Sequence, residues 1–394
     1  MIHEKLQQID RELIELLGKR IAVLKESVST DSPENAPDLT PFLHRAGIPE
    51  FVWQNLVLGC AATLTLKSSS SSPTYTQPRQ VTVIGGGGRM GRFFTEQLSA
   101  AGHQVSILEQ NDWEQAERLL AAADLVLVCV PMECTLEVIR KTAKHLGPNT
   151  ALADITSIKA ATVKAMLAHH GGPVMGLHPM FGPGVNSFLS HQVVVCPGRR
   201  DESFQWFLEL IEGEGGKLIV ATPEEHDQMM VSIQAIRNFA TLSMGVFLSE
   251  EEINIRRSLD FSSPIFRQKI AMVTRLFTQS APLVVDLILA TPERREAIAR
   301  LANTYSRLAQ LVLQGERESL IHEFKATHSF FAGQLSWGLQ ESTHLINALS
   351  TLLAAREVEQ EHPALASRRN SMDQTLNSPA SSTQHARRTP AFSS

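Results

Sequence analysis

One stretch constrains this chain more than any other: Val81-Thr82-Val83-Ile84 running directly into Gly85-Gly86-Gly87-Gly88-Arg89-Met90-Gly91. Four β-favouring residues read as a strand, and Gly86, Gly88 and Gly91 fit G-x-G-x-x-G with a helical pattern starting near Arg92. Glycine at these places lets the backbone turn sharply and approach a pyrophosphate, whose charge meets the unpaired N–H groups of a helix start. Arg89 and Met90 lie in that first turn, and Arg89 and Arg92 are candidates for phosphate contact. A glycine-rich turn alone is weak evidence; its place between strand and helix makes it a dinucleotide site. Glu109 ends the next strand about 20 residues on, where an acidic side chain takes the adenosine ribose hydroxyls. A 2′-phosphate there would meet like charge, so NAD is expected over NADP. A third strand runs to Val130 and stops at Pro131, at the sheet edge where ligands bind.

The strand pattern continues through Gln104–Leu108, Asp124–Val130 and Thr150–Asp154, alternating with helices. That alternation implies an α/β fold, a Rossmann-type doubly wound parallel sheet over 80–223. Beyond Glu224 the strand signals cease, and 225–250, 265–290, 292–314 and 318–350 read as helices of an all-α domain over 224–355. Ahead of the sheet, Leu6, Ile9, Leu13, Leu16, Leu17 and Leu24 mark an amphipathic helix over 6–24. A polar, proline-containing stretch breaks it before a second helix over 51–66, giving a small unit over 1–67. The serine run Ser68–Ser72 with Pro73 and Pro78 has linker composition over 68–79, and 364–394 reads as a disordered tail.

A length of 394 residues suits two or three domains. The net charge of -5 leaves no electrostatic footprint for nucleic acid. The four cysteines show neither C-x-x-C pairs nor regular spacing, so no metal site and no disulfide framework is expected. The polar start argues against a secretory signal, and no apolar run approaches the roughly 18 residues of a membrane helix. The expectation is a cytoplasmic protein without membrane or nucleic-acid partners, paired as a homodimer because two-fold dimers are the commonest oligomers.

Two loops are expected at the carboxyl edge of the sheet beside the nicotinamide: one holds Ser157 and Lys159, the other Gly176-Leu177-His178-Pro179-Met180-Phe181-Gly182-Pro183. A histidine there can accept a hydroxyl proton as hydride leaves the same carbon. Cys129 and Cys134 near this edge read as small buried packing residues.

The strings V-I-G-G-G-G-R-M-G-R, S-I-L-E-Q-N-D-W, G-L-H-P-M-F-G-P, E-E-H-D-Q and S-S-P-I-F-R resemble the prephenate dehydrogenase family, most closely its T-protein branch, which joins a chorismate mutase to the dehydrogenase. The resemblance runs from about Val81 to Gly333. It implies that His178 is the catalytic histidine, with Ser157 and Lys159 supporting it and the substrate. It further implies that Arg275, in A-M-V-T-R, binds a carboxylate of prephenate, with Arg267 a second cation. Arginine's fork of donors suits a dicarboxylate. The implied reaction is oxidative decarboxylation to 4-hydroxyphenylpyruvate. His226-Asp227 is read as capping or pinning the first helix of the second domain.

Two departures stand out. Asn238, also assigned to the substrate site, replaces a family histidine linked to ligand recognition and tyrosine inhibition, so weak or absent inhibition by tyrosine is expected. The N-terminal pattern resembles the first helix of a chorismate mutase, with Arg20 matching a substrate-binding arginine. His3 stands where the family has another arginine, and a middle helix is missing, so residues 1–67 read as a degenerate mutase remnant. An arogenate dehydrogenase, or retained mutase activity, stays open on residue types. A 2-hydroxyacid or imine-type reductase is disfavoured because Glu224–Phe247 contains no lysine. An NAD-sensing regulator is disfavoured because the first helices lack a basic face.

Overall fold

The computed structural model describes residues 2–27, 38–65 and 77–361. Most of the expected linker and all of the expected tail fall outside the described residues. The N-terminal helices are α1 (Ile2–Ser27), α2 (Thr40–Ala46) and α3 (Glu50–Ala62). The short α2 was not expected: Pro41 opens it in its first turn, where a missing N–H costs nothing, instead of breaking the chain. Ile9, Leu13 and Leu16, part of the stripe that marked α1, remain largely exposed.

From Gln80 the chain alternates as read: β1 (Gln80–Ile84), α4 (Arg89–Ala100), β2 (Gln104–Leu108), α5 (Ala116–Ala121), β3 (Leu125–Val128), α6 (Met132–Ala143), β4 (Ala151–Asp154), α7 (Ala160–His169) and β5 (Val174–Pro179). Then come β6 (Gln192–Arg199), α8 (Gln205–Gly213) and β7 (Lys217–Val220). The sheet order is β2-β1-β3-β4-β5-β6-β7. The first five strands are parallel, and successive residues feed opposite faces. Val81, Val83, Leu125 and Leu127 pack with Phe94, Phe188 and Phe207 on one side. Ile84, Val126 and Val128 pack with Leu120, Ile139 and Met166 on the other. Burial on both faces is why these strands are nearly continuous apolar runs. β6 runs antiparallel to β5, a departure from an all-parallel sheet. The link 180–191 contains no crossover helix, and a parallel return needs one.

The remainder is helical: α9 (Pro223–Met230), a π-helical segment (Val231–Ile236), α10 (Arg237–Glu250), α11 (Ile255–Asp260), α12 (Pro264–Phe277), α13 (Ala281–Leu289), α14 (Pro292–Leu313), α15 (Arg317–Phe330) and α16 (Leu335–Glu361). The helix expected over 265–290 breaks before Ala281, where Pro282 starts a new helix, and that over 318–350 breaks at 331–334. The stretch Pro223–Glu250 reaches the length and apolar content of a membrane span, which the sequence was not expected to contain. Here its Asp227 accepts backbone N–H groups at the start of α7 and its Gln234 side chain is buried. The described residues form two compact units, one up to Phe261 together with Gln268–Phe324, the other Ser262–Arg267 with residues 325–361.

Candidate active site

The sheet order reverses direction at β1, and crevices at such switch points, outside the carboxyl ends of strands, are where ligands bind. Every parallel strand delivers a candidate residue to that edge. After β1, Gly85 takes φ +78°, so the left-handed turn falls on Gly85, one residue before the motif's first glycine. A Cβ there would lie 2.7 Å from the Cys129 carbonyl oxygen. A Cβ on Gly86 would strike Ile107, and one on Gly91 would stand 2.1 Å from the Gly85 carbonyl oxygen. α4 begins at Arg89, three residues earlier than the pattern suggested, so Gly91 is a buried helical position that lets helix and loop touch.

These residues fit a dinucleotide. Gly88 caps α4 without any side-chain hydrogen bond, leaving helix-start N–H groups for an anion. The Gly87 N–H donates to Glu109 Oε1 at 2.6 Å, which holds the acidic side chain over the loop. Arg89 is exposed and Met90 half-buried; Arg92 folds back to donate to the Gly87 carbonyl at 3.3 Å. Val130 and Pro131 follow β3, and Pro131 caps α6. Cys134, expected to be buried, is exposed in the first turn of α6.

At β4 the fully buried Asp154 accepts Lys159 Nζ at 2.6 Å and the Thr156 N–H at 3.0 Å, together with the Thr156 hydroxyl. Lys159 also donates to the Leu177 carbonyl at 2.8 Å. With 0% of its side chain exposed, Lys159 directs its charge inside the protein, to Asp154 and the Leu177 carbonyl. The Ser157 carbonyl accepts Arg294 at 3.3 Å, and that guanidinium also donates to the Leu287 carbonyl at 2.7 Å. Arg294 is fully buried and was not singled out in the sequence.

His178 closes β5 as part of the strand, opposite Val194 of β6, and is 4% exposed. Its Nδ1 lies 2.7 Å from Nε2 of His226, and His226 Nδ1 lies 2.8 Å from Asp227 Oδ1. Asp227 also accepts the N–H groups of Lys159 at 2.8 Å and Ala160 at 3.0 Å. Thus His226-Asp227 does not cap its own helix; the Thr222 hydroxyl does, accepting from the Glu225 N–H. The Gln234 amide nitrogen is 3.3 Å from His178 Nε2, and its buried Oε1 has no partner. Burial first, then the neighbouring His226, Lys159 and Arg294, hold the His178 ring well below the usual histidine range, so it is neutral at pH 7. Burial acts to raise the Asp227 carboxyl, and the bonds from His226 and the two backbone amides more than offset it, so Asp227 is ionised.

Sequence models of two domains match the chain: prephenate dehydrogenase, nucleotide-binding domain, over 95–220, and prephenate dehydrogenase, dimerization domain, over 222–326. The T-protein of Enterobacter agglomerans is 34% identical, over 88% of this chain and 96% of that protein. The chain belongs to the prephenate dehydrogenase family. The T-protein of Haemophilus influenzae is 33% identical over 89% of this chain and 97% of that protein. Such a match is longer than the stretch from Gln80 onward, so it takes in some of the N-terminal segment. The solved prephenate dehydrogenase of Aquifex aeolicus, in complex with hydroxyphenyl propionate and NAD+, shares the fold with TM-score 0.53 at 17% identity, over 65% of this chain and 98% of that one.

The residues that the sequence assigned to the substrate are less gathered. Asn238 is buried on α10, four residues beyond Gln234, and its Oδ1 accepts from Arg237 at 3.0 Å. Arg275 is exposed on α12 and is not bonded to the histidine pair. Arg267 lies in the second unit, half-buried, with its N–H bonded to the Ser263 carbonyl.

Proposed function

We propose that this protein is an NAD-dependent prephenate dehydrogenase of tyrosine biosynthesis, acting in the cytoplasm as a homodimer, with His178 as the base that engages the ring hydroxyl. The observation that carries the assignment of His178 is its hydrogen bonding. Ionised Asp227 can only accept, so His226 carries its proton on Nδ1. With Nε2 of His226 as the acceptor, the 2.7 Å contact takes the Nδ1–H of His178. His178 Nε2 is left unprotonated, accepting the Gln234 amide N–H at 3.3 Å, the protonation state a general base needs.

NAD supplies the hydride acceptor when bound, with the N–H groups at the start of α4 on its pyrophosphate and Glu109 on a ribose. His178 Nε2 takes up the hydroxyl proton as the ring carbon loses hydride. The departing carboxylate leaves its electron pair to the ring as carbon dioxide forms, and the new phenolate takes the proton back. One hydride moves, one carbon dioxide is released, and no proton is lost overall. Asp154 and Lys159 hold the end of β5 through the Leu177 carbonyl, so the ring stays where the base must be. Arg275 and Arg267 remain the proposed carboxylate cations. Residues 1–67 are proposed to be a degenerate mutase segment.

The test is NADH formation with prephenate and with arogenate, in the wild type and in His178→Asn. Turnover of prephenate and a loss of about hundredfold or more in the variant are expected. Reaction with arogenate alone would move the enzyme to the neighbouring substrate, and a fully active His178→Asn would remove the base assignment.

A further inference from the structure

We infer that the base in this protein is a three-residue unit, His178–His226–Asp227, in which the proton accepted at Nε2 of His178 is matched by transfer of its Nδ1 proton to Nε2 of His226, so that positive charge comes to rest beside the Asp227 carboxylate. This deepens the assignment of His178 and rests on it.

The geometry is continuous. Two short hydrogen bonds, 2.7 Å and 2.8 Å, join three buried or half-buried groups from two elements, the end of β5 and the first helix after the sheet. With Nε2 of His226 as acceptor, the protons lie on Nδ1 of His178 and Nδ1 of His226, each donated along the line toward Asp227. As a proton arrives on His178 Nε2, the Nδ1 proton crosses to His226 Nε2. His226 then carries protons on both nitrogens and donates Nδ1–H to Asp227. When the phenolate is reprotonated, both shifts reverse, so no atom or charge is gained or lost.

Charge on His178 itself would be costly. Its ring is buried and faces the Lys159 ammonium and the Arg294 guanidinium, neither of which favours a second cation. At the other end, Asp227 feels Lys159 at the start of α7, and Arg294 and Glu293 of α14; Cys196 of β6, whose thiol burial pushes to about 12, stays neutral nearby. Moving the charge one ring outward exchanges two like charges for a hydrogen-bonded carboxylate. His226 and Asp227 touch no substrate in this reading; they are positioning and charge-sharing residues.

Two variants separate proton sharing from simple support. In His226→Gln the new amide oxygen can still accept the His178 Nδ1–H, so ring orientation survives while proton uptake is lost. In Asp227→Asn the carboxylate charge goes. For each, kcat, KM for prephenate and NAD, the pH profile of kcat, and the proton inventory in mixtures of light and heavy water are measured on protein with wild-type circular dichroism. The expectation is a fall in kcat of about ten- to hundredfold with KM changed less than about threefold, and a shift of the acid limb. A bowed inventory from two moving protons in wild type should become linear in His226→Gln. Wild-type kcat and pH profile in a folded His226→Gln would overturn the relay even if His178→Asn is inactive. An active His178→Asn would instead overturn the base assignment on which the relay rests. Should Asp227→Asn unfold because the start of α7 loses its acceptor, His226→Gln decides alone, since it leaves those bonds in place.

Discussion

Replacing Lys159 with methionine asks whether this residue holds the site or works in it. The substitution keeps the volume of the aliphatic stem and removes the ammonium, which donates to Asp154 at 2.6 Å and to the Leu177 carbonyl at 2.8 Å. Asp154 keeps the Thr156 N–H and the hydroxyls of Thr156 and Thr162, but no counter-charge, at 0% exposure. Removing one member of a buried pair costs about 3–5 kcal/mol, because the other is left as an uncompensated charge. For a domain of this size each kcal/mol lowers the midpoint by about 2–4 °C, so apparent Tm should fall by roughly 6–20 °C. Asp154→Asn should cost less, since a buried lysine can shed its proton, and Lys159→Met with Asp154→Leu should recover most of the loss. Differential scanning calorimetry reads all three, and kcat is taken at a temperature where each is folded. An unchanged Tm with a collapse in kcat would refute the reasoning and make Lys159 a group that touches substrate.

Gly91→Ala puts a methyl group 2.1 Å from one backbone oxygen and 2.8 Å from the Gly86 Cα, so the glycine loop must move. The Kd for NAD, read by quenching of protein fluorescence, should weaken about tenfold or more, a cost in the usual 1–3 kcal/mol range for overpacking; an unchanged Kd would show the loop free to yield. Glu109→Asn should raise KM for NAD by roughly ten- to hundredfold, the worth of a charged hydrogen bond, while activity with NADP improves; equal preference before and after would remove Glu109 from the ribose site. Because the folded His178 is held below the unfolded value near 6.5, its neutral form persists under mild acid, and the acid limb of kcat/KM should lie below about 6.5. The same sign makes its contribution to stability complete above about 6.5 and lost as pH falls from there toward the folded value; a limb above 6.5 would contradict this. With Asn238 at its position, tyrosine should inhibit weakly, and strong competitive inhibition at micromolar tyrosine would refute that.

Local patterns were legible because their causes are local. Val81–Ile84 and Gly86, Gly88 and Gly91 announce strand, turn and helix within a dozen residues, and Glu109 follows at a fixed distance. The family strings carried His178. What could not be read was contact between distant segments. His226 and Asp227 sit 48 and 49 positions after His178, and E-E-H-D-Q at a helix start looks like a cap until the fold turns it toward β5. Lys159 looks like any loop lysine until Asp154, five residues earlier, is seen to share its burial. The reversal of β6 depends on a missing crossover, and the fully buried Arg294 hides in Glu293-Arg294-Arg295, a run that reads as solvent-facing. Gly85 was passed over because four glycines in a row mask which one carries the turn.

The π-helical segment Val231–Ile236 joins α9 to α10 without a break, yet its i→i+5 bonds put more residues into a turn than an α-helix does. Its effect is one of phase. Upstream, His226 and Asp227 answer to the sheet edge; downstream, the face of α10 is turned by about 100° in all, the angle of one extra residue, relative to an unbroken α-helix. A single residue deleted between 231 and 236 would therefore leave composition and helix content almost unchanged while rotating Asn238 and everything after it away from its present neighbours. The two halves of this one rod are thus held in phase with different neighbours by a single turn at the joint.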